Sequence, residues 1–269
     1  MSRLYDYHIH TSLCGHAEGE MEEFVQVAIT RGLKEIGFAD HLPMYFRSET
    51  ERDPSIAMTE AQLPMYLAEI QRLNEQYPQM SIKCGIEADY IPGQEQRLAE
   101  VLKSYNFDYV LGSIHFLDQW GFDDSRYLSV YEGWSIDDLY TKYFDVLKQA
   151  AASGLFDVLA HPDLIKKFGF RPQGNLDTLY DEVVRVISRF DLCVEVNTAG
   201  WRYPAGEMYP AVGFLEACYR YQIPVSLGSD AHCPEQVGQD LDKAVQILKG
   251  IGYRKVATFH QRRREMVQL

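Results

Sequence analysis

Seven times along this chain a short β-branched or apolar run gives way to a longer amphipathic stretch, the one-dimensional pattern of βα units and a parallel sheet. The runs at 4–8, 35–39, 82–87, 109–114, 157–160, 192–196 and 224–228 predict strands. Helical periodicity fills 21–31, 59–77, 94–104, 136–153, 176–189, 208–221 and 234–249. Thr59, ahead of Glu60 and Gln62, suits an N-cap, while Gly154 and Gly250 suit helix ends that need positive φ. A last run at 255–259 adds a strand or edge closure. The count of units predicts an α/β fold of the TIM-like barrel type. An open doubly wound sheet would give a similar pattern, but no glycine-rich phosphate loop follows the first strand.

A length of 269 residues suits one domain spanning 1–269, as β/α barrels often do. With 46% apolar and 24% charged residues, neither disorder nor a disulfide-dependent miniature fold is called for. The chain opens without an apolar run behind a basic start, and no stretch approaches a membrane span, so a cytoplasmic address is expected. Five scattered cysteines, never paired as CxxC, argue against a disulfide framework and a thiolate zinc site. A net charge of −13 repels nucleic acid and anionic membranes. The one dense basic run, Arg262 to Arg264, reads as a solvated helix face. An acidic protein can still bind phosphate if metal ions supply the positive charge.

Strand C-terminal ends are where β/α barrels build their sites, and seven of the eight histidines fall at or just beyond them. The first strand ends His8-Ile9-His10, where alternation points both imidazoles to one side, and His16 follows in the loop. Later strands end in Asp40-His41, Glu87-Ala88-Asp89, His115, His161-Pro162-Asp163, Glu195-Val196-Asn197 and Asp230-Ala231-His232. Singly, each residue is more often a satisfied polar group, a cap or a surface charge. Jointly, unpaired imidazoles and carboxylates in one pocket would cost several kcal/mol, whereas bound cations make the same crowding stabilising. The donors are nitrogen and oxygen and too many for one ion, which fits zinc, manganese or iron. Cys14 and Cys233, beside His16 and His232, read as small packing groups rather than ligands.

The set from Asp6 to Thr11, with His16, Asp40-His41, Glu87, His115, His161 and Asp230-Ala231-His232, resembles the motifs of the polymerase and histidinol phosphatase (PHP) family, in matching order over nearly the whole chain. The segments Cys14-Gly15-His16-Ala17 and Gly37 to Pro43 are most similar to its stand-alone L-histidinol-phosphate phosphatases. The resemblance implies a distorted barrel of seven βα units holding three divalent ions. One ion would take His8, His10, Glu87 and Asp230. Glu87 would bridge to a second, which adds His115 and His161, and a third would take His16, His41 and His232. Asp40 and Glu195 match acidic positions of the pattern and are expected to orient ligands.

With clustered ions, water between two of them becomes hydroxide near neutral pH, and the ions hold the phosphoryl oxygens. No nucleophilic side chain is then required, and neither a nucleophile elbow nor an Asp-rich first strand is present. Glu87 and Asp230 are expected as the catalytic carboxylates, the proton donor to the leaving alkoxide being left open between Asp230 and a metal-held water. Arg202, Arg171 and Asn197 are candidates for the phosphate and substrate side, the arginines because a guanidinium fork matches phosphate oxygens. Non-periodic segments at 42–58, 116–135, 163–175 and 198–207 follow strands and form a rim. Their Tyr45, Phe46, Phe116, Trp120, Phe122, Trp201 and Tyr203, with Asp118, Asp123 and Asp124, suit a small flat cation or ordinary loop packing equally.

Three classes of function fit these donors. The first is hydrolysis of a small phosphomonoester, L-histidinol phosphate above all, in histidine biosynthesis. The second is a nucleotide phosphoesterase or nuclease on the same site. The third is a metal-binding module without catalysis, against which the complete ligand set argues. Amide hydrolysis remains open on chemistry alone.

Overall fold

The computed structural model describes residues 4–269; residues 1–3, part of the stretch scanned for a leader, lie outside them. One sheet takes its strands in chain order and all parallel: β1 (Tyr5–Ile9), β2 (Glu35–Phe38), β3 (Ser81–Asp89), β4 (Tyr109–Ser113), β5 (Val158–Leu159), β6 (Cys193–Asn197) and β7 (Val225–Gly228). The two ends meet just beyond β1 and β7. Ile9 bridges Ala231, and the His10 N–H donates to the Ala231 carbonyl at 2.9 Å. The sheet therefore curls into a nearly closed barrel of seven strands, and the doubly wound alternative fails.

The connecting helices are α1 (Met21–Thr30), α2 (Leu63–Gln76), α3 (Glu95–Lys103), α4 (Ile136–Ala152), α5 (Asp177–Arg189), α6 (Val212–Arg220) and α7 (Leu241–Ile251). Each turns an apolar stripe to the sheet. In α4 that stripe is Leu139, Tyr143, Phe144, Leu147 and Ala150, spaced three and four apart. Its first turn is held by Ser135, whose side chain accepts from the Asp138 N–H, and Asp137 and Asp138 sit on the positive helix end. Inside the barrel, Tyr7, Tyr109, Leu111, Val158 and Phe259 form a second, smaller core. Tyr109 fits because Gly37 has no side chain: a Cβ there would lie 2.1 Å from the Tyr109 hydroxyl.

The C-terminal run is not a barrel edge. β8 (Lys255–His260) and β9 (Arg263–Gln268) pair as an antiparallel hairpin beneath the N-terminal end of the barrel, with Phe259 6.0 Å from the Tyr7 ring and 5.9 Å from Tyr109. The Arg262 to Arg264 run is accordingly a strand and its turn, not a helix face. Arg262 pairs with Asp157, and Arg264 with Asp191 at 2.6 Å.

Three helices start later than periodicity predicts. Thr59 bonds the Gln62 side chain in a turn, and α2 begins only at Leu63 with Pro64 in its first turn. Tyr209 pairs with Asn197 in an antiparallel bridge, which keeps 208–211 extended until Val212. The stretch from Pro234 is a short 3-10 turn, separated from α7 by Asp240 in the left-handed region, and Gly252 rather than Gly250 ends α7.

Candidate metal centre

Parallel strands aim every C-terminal end at one mouth of the barrel, so the residues just past them converge. His8 and His10 sit on the same side of β1, with Nε2 atoms 3.0 Å apart. Each ring is fixed from behind. His8 Nδ1 is 2.7 Å from Glu195 Oε1, and His10 Nδ1 is 3.4 Å from Asp40 Oδ1. His16 Nδ1 faces the carbonyls of Cys14 and Ser55, both at 3.1 Å, and His232 Nδ1 faces the Asp230 carbonyl at 3.0 Å. His115 Nδ1 is 2.9 Å from Asp89 Oδ1. In these five rings Nδ1 is engaged by the protein, which turns Nε2 toward the common centre in the manner of preoriented metal ligands.

Glu87 is central, and its two oxygens face different groups. Oε1 is 2.8 Å from His161 Nε2 and 3.6 Å from His115 Nε2. Oε2 is 3.0 Å from His41 Nδ1, 3.4 Å from His8 Nε2 and 3.6 Å from His10 Nε2. Asp230 Oδ1 closes the other side at 3.1 Å from His10 Nε2 and 3.7 Å from His8 Nε2. Donor atoms within 4.8 Å of one another occur in His8/His10/Asp230, His8/Glu87/His161 and His10/His41/His232. Cys14 is buried beside His16 and His232 at similar range.

The residues fit bound cations on their own evidence. His161 Nδ1 is buried without a hydrogen-bond partner, and Glu87 Oε2, though 3.0 Å from His41 Nδ1, makes no hydrogen bond of regular geometry, which a protein seldom tolerates unless something else engages the group. His161 also holds a backbone φ of +26°, a conformation costing about 1–3 kcal/mol that functional sites retain. Charge is divided unevenly among these groups in the absence of an ion. Against burial, which would raise it, the charged imidazoles beside it, His8 and His115 among them, hold the Glu87 carboxyl well below its ordinary range. Burial keeps His41 and His232 well below theirs, hence neutral and able to ligate. His115 is pushed up to about 10 because Asp89, Glu87 and Asp123 outweigh its burial.

Asp40 and Glu195 lie behind the ligands. Asp40 also accepts from the Thr11 and His41 N–H groups, and Glu195 Oε2 accepts from the His161 N–H at 2.8 Å and Asn197 at 3.1 Å. The close approach of β7 to this layer needs Gly228, where a Cβ would stand 2.1 Å from Glu195 Oε1 and 2.7 Å from His8 Cβ.

A cleft of about 1020 Å³ opens over His16, His41 and His115. Phe116, Trp120 and Tyr203 line it, with Asp118, Asp123 and Asp124, whereas Tyr45 and Phe122 are buried. The three acids are engaged by Lys142, Lys167 and Arg126 respectively. The predicted substrate residues divide. Asn197 donates to Asp230 Oδ2 at 3.2 Å. Arg202 does not line the cleft; it lies behind Asp230, donating to the carbonyls of Ser229 and Asp230 at 2.8 and 2.9 Å. Arg171 is outside as well, bound to Glu207 and the Ala205 carbonyl. Arg47, Arg126 and Lys167 are the cations of the cleft wall; Lys167, 3.1 Å from Asp123, follows His161 by six residues, and residue type and spacing do not single it out. Its only sequence signal is its place in the loop that follows His161.

A family model described as the PHP domain matches residues 6–199. The chain belongs to the PHP family. Among curated relatives, a probable histidinol-phosphatase of Deinococcus radiodurans is 40% identical over 97% of this chain and 99% of its own length. A histidinol-phosphatase of Bacillus subtilis is 29% identical over 87% and 95%. The histidinol phosphate phosphatase of Lactococcus lactis, solved with zinc, L-histidinol and phosphate, shares the fold with a TM-score of 0.85 at 21% identity, covering 98% of this chain and 99% of that one. The PHP barrel expected from the motifs is thus borne out, and the donors expected at its strand ends converge in groups that could hold a metal ion.

Proposed function

We infer that this PHP protein is a metal-dependent phosphatase that hydrolyses L-histidinol phosphate to L-histidinol and phosphate in histidine biosynthesis. The observation that carries the reading is the convergence of seven imidazoles, Glu87 and Asp230 in one cluster, which an open cleft reaches at His16, His41 and His115. The end-to-end likeness to histidinol-phosphatases selects the phosphoester.

Three divalent ions account for the donors: His8, His10, Glu87 and Asp230 for one, Glu87, His115 and His161 for the next, His16, His41 and His232 for the third. Zinc, manganese and iron all accept such nitrogen and oxygen sets. When bound, these ions supply Lewis-acid charge that activates water and neutralises phosphoryl oxygens. The side chains supply the rest. Asp230 is 14% exposed where Glu87 is 1%, so of the two carboxylates Asp230 is the one that solvent reaches. Asn197 and Arg202 fix Asp230 from behind, and the Lys167 ammonium meets a phosphoryl oxygen on the cleft wall. Phe116, Trp120 and Tyr203 offer ring faces to the imidazole and ammonium ends of histidinol. Free cysteines suit the reducing cytoplasm, where we place the enzyme.

The test is a metal titration of the purified protein with elemental analysis, alongside phosphate release. The reading predicts three ions per chain and activity that Glu87→Gln abolishes together with metal. Full activity in a fully demetallated protein would sink it.

A further inference from the structure

Two residues beyond His161, Asp163 Oδ2 and Lys166 Nζ lie 2.7 Å apart, each side chain 1% exposed. A buried ion pair gains little stability over apolar residues of the same shape, since both charges lose their water. What distinguishes this pair is where its remaining bonds go. Asp163 Oδ2 also accepts from the Ala211 N–H at 2.8 Å, and Lys166 donates to the Met208 carbonyl at 2.9 Å. Glu207 Oε1 lies 3.2 Å from the same ammonium. All three partners belong to the loop after β6, which also donates from the Ala205 N–H to the Lys167 carbonyl at 3.0 Å. The turn after β5 is in this way fastened to the loop after β6.

The neighbouring side chain emerges between them. Lys166 is directed into the protein and Lys167 lines the cleft, its ammonium 4.8 Å over the Tyr203 ring of the fastened loop. We propose that Asp163 and Lys166 are a positioning pair that holds the Lys167 ammonium at the height of the phosphoryl group. The proposal rests on the reading of Lys167 as a phosphate-binding cation.

The experiment compares metal-loaded wild type with Lys166→Met, Asp163→Asn/Lys166→Met and Lys167→Met. It measures metal content, melting temperature, kcat and KM separately, and competitive inhibition by inorganic phosphate. All variants should keep wild-type metal content. Lys166→Met leaves a buried carboxylate unpaired and should melt lower, and the double variant should recover most of that loss. Both should still bind phosphate about tenfold more weakly, with KM raised more than kcat is lowered. A double variant that melts normally and binds phosphate within about twofold of wild type would overturn the positioning role, leaving only charge neutralisation. If Lys166→Met does not fold, the double variant carries the comparison. Unchanged phosphate binding in Lys167→Met would overturn the reading of Lys167 and the proposal with it. A tenfold loss there with none in the double variant would overturn the pair alone.

Discussion

Gly228 shows how little room the site leaves. A methyl group at this position would overlap Glu195 and the base of His8, so the cluster is built against bare backbone. Gly228→Ala should cost about 1–3 kcal/mol of stability through overpacking. Because the displaced groups include a ligand and its support, it should also lower metal content, which elemental analysis would detect. Lys167→Met should act differently, raising KM for the phosphomonoester about ten- to a hundredfold at unchanged metal content, as loss of a charged hydrogen bond does. At this scale the donors were legible because strand alternation and strand ends locate them without a structure. Arg202 and Arg171 are singled out by residue type and by their loops after the sixth and fifth strands, but a guanidinium serves a backbone carbonyl as readily as a phosphate. Lys167 was overlooked for the complementary reason: two adjacent lysines look alike in sequence, and only burial separates Lys166 from its neighbour.

Among elements, the C-terminal hairpin is the part furthest from the chemistry and the least anticipated. Its first strand was visible as an apolar run, but the three arginines hid the second, whose side chains are largely exposed or paired with Asp157 and Asp191. The hairpin supports the barrel from below through Phe259, buried against Tyr7 and Tyr109. Phe259→Ala should destabilise by about 3–5 kcal/mol, read as a shift in denaturant midpoint, with kcat and metal content unchanged in the folded fraction. A loss of metal at full stability would contradict this division between base and mouth. Helix interiors were legible from their periodicity, while the starts of α2, α6 and α7 were not. Each was displaced by a local bond or turn, such as the bridge between Asn197 and Tyr209, that periodicity does not encode.

For the whole molecule, the cluster ties stability to metal. Donors drawn from six of the seven strand ends lose their common counter-charge when the ions leave, and ions that bind only the folded state stabilise it by linkage. Treatment with a chelator should therefore lower the melting temperature, and added zinc or manganese should restore it in a concentration-dependent way. A melting temperature indifferent to chelator would mean the donors do not hold ions. The barrel itself was legible from the count of βα units, although its closure through Ile9 and Ala231 depends on strand curvature rather than on any residue pattern. The acidic surface, at −13, leaves positive charge for a phosphate to the ions and to a few cleft cations such as Lys167. That arrangement favours a compact phosphomonoester over a polyanion. The most direct measurement is kcat/KM of the metal-loaded protein for L-histidinol phosphate against a panel of unrelated phosphomonoesters and a short oligonucleotide. The account predicts a preference for L-histidinol phosphate of at least about a hundredfold, some 2.7 kcal/mol of differential transition-state binding. Equal turnover across the panel, or faster cleavage of the oligonucleotide, would contradict it.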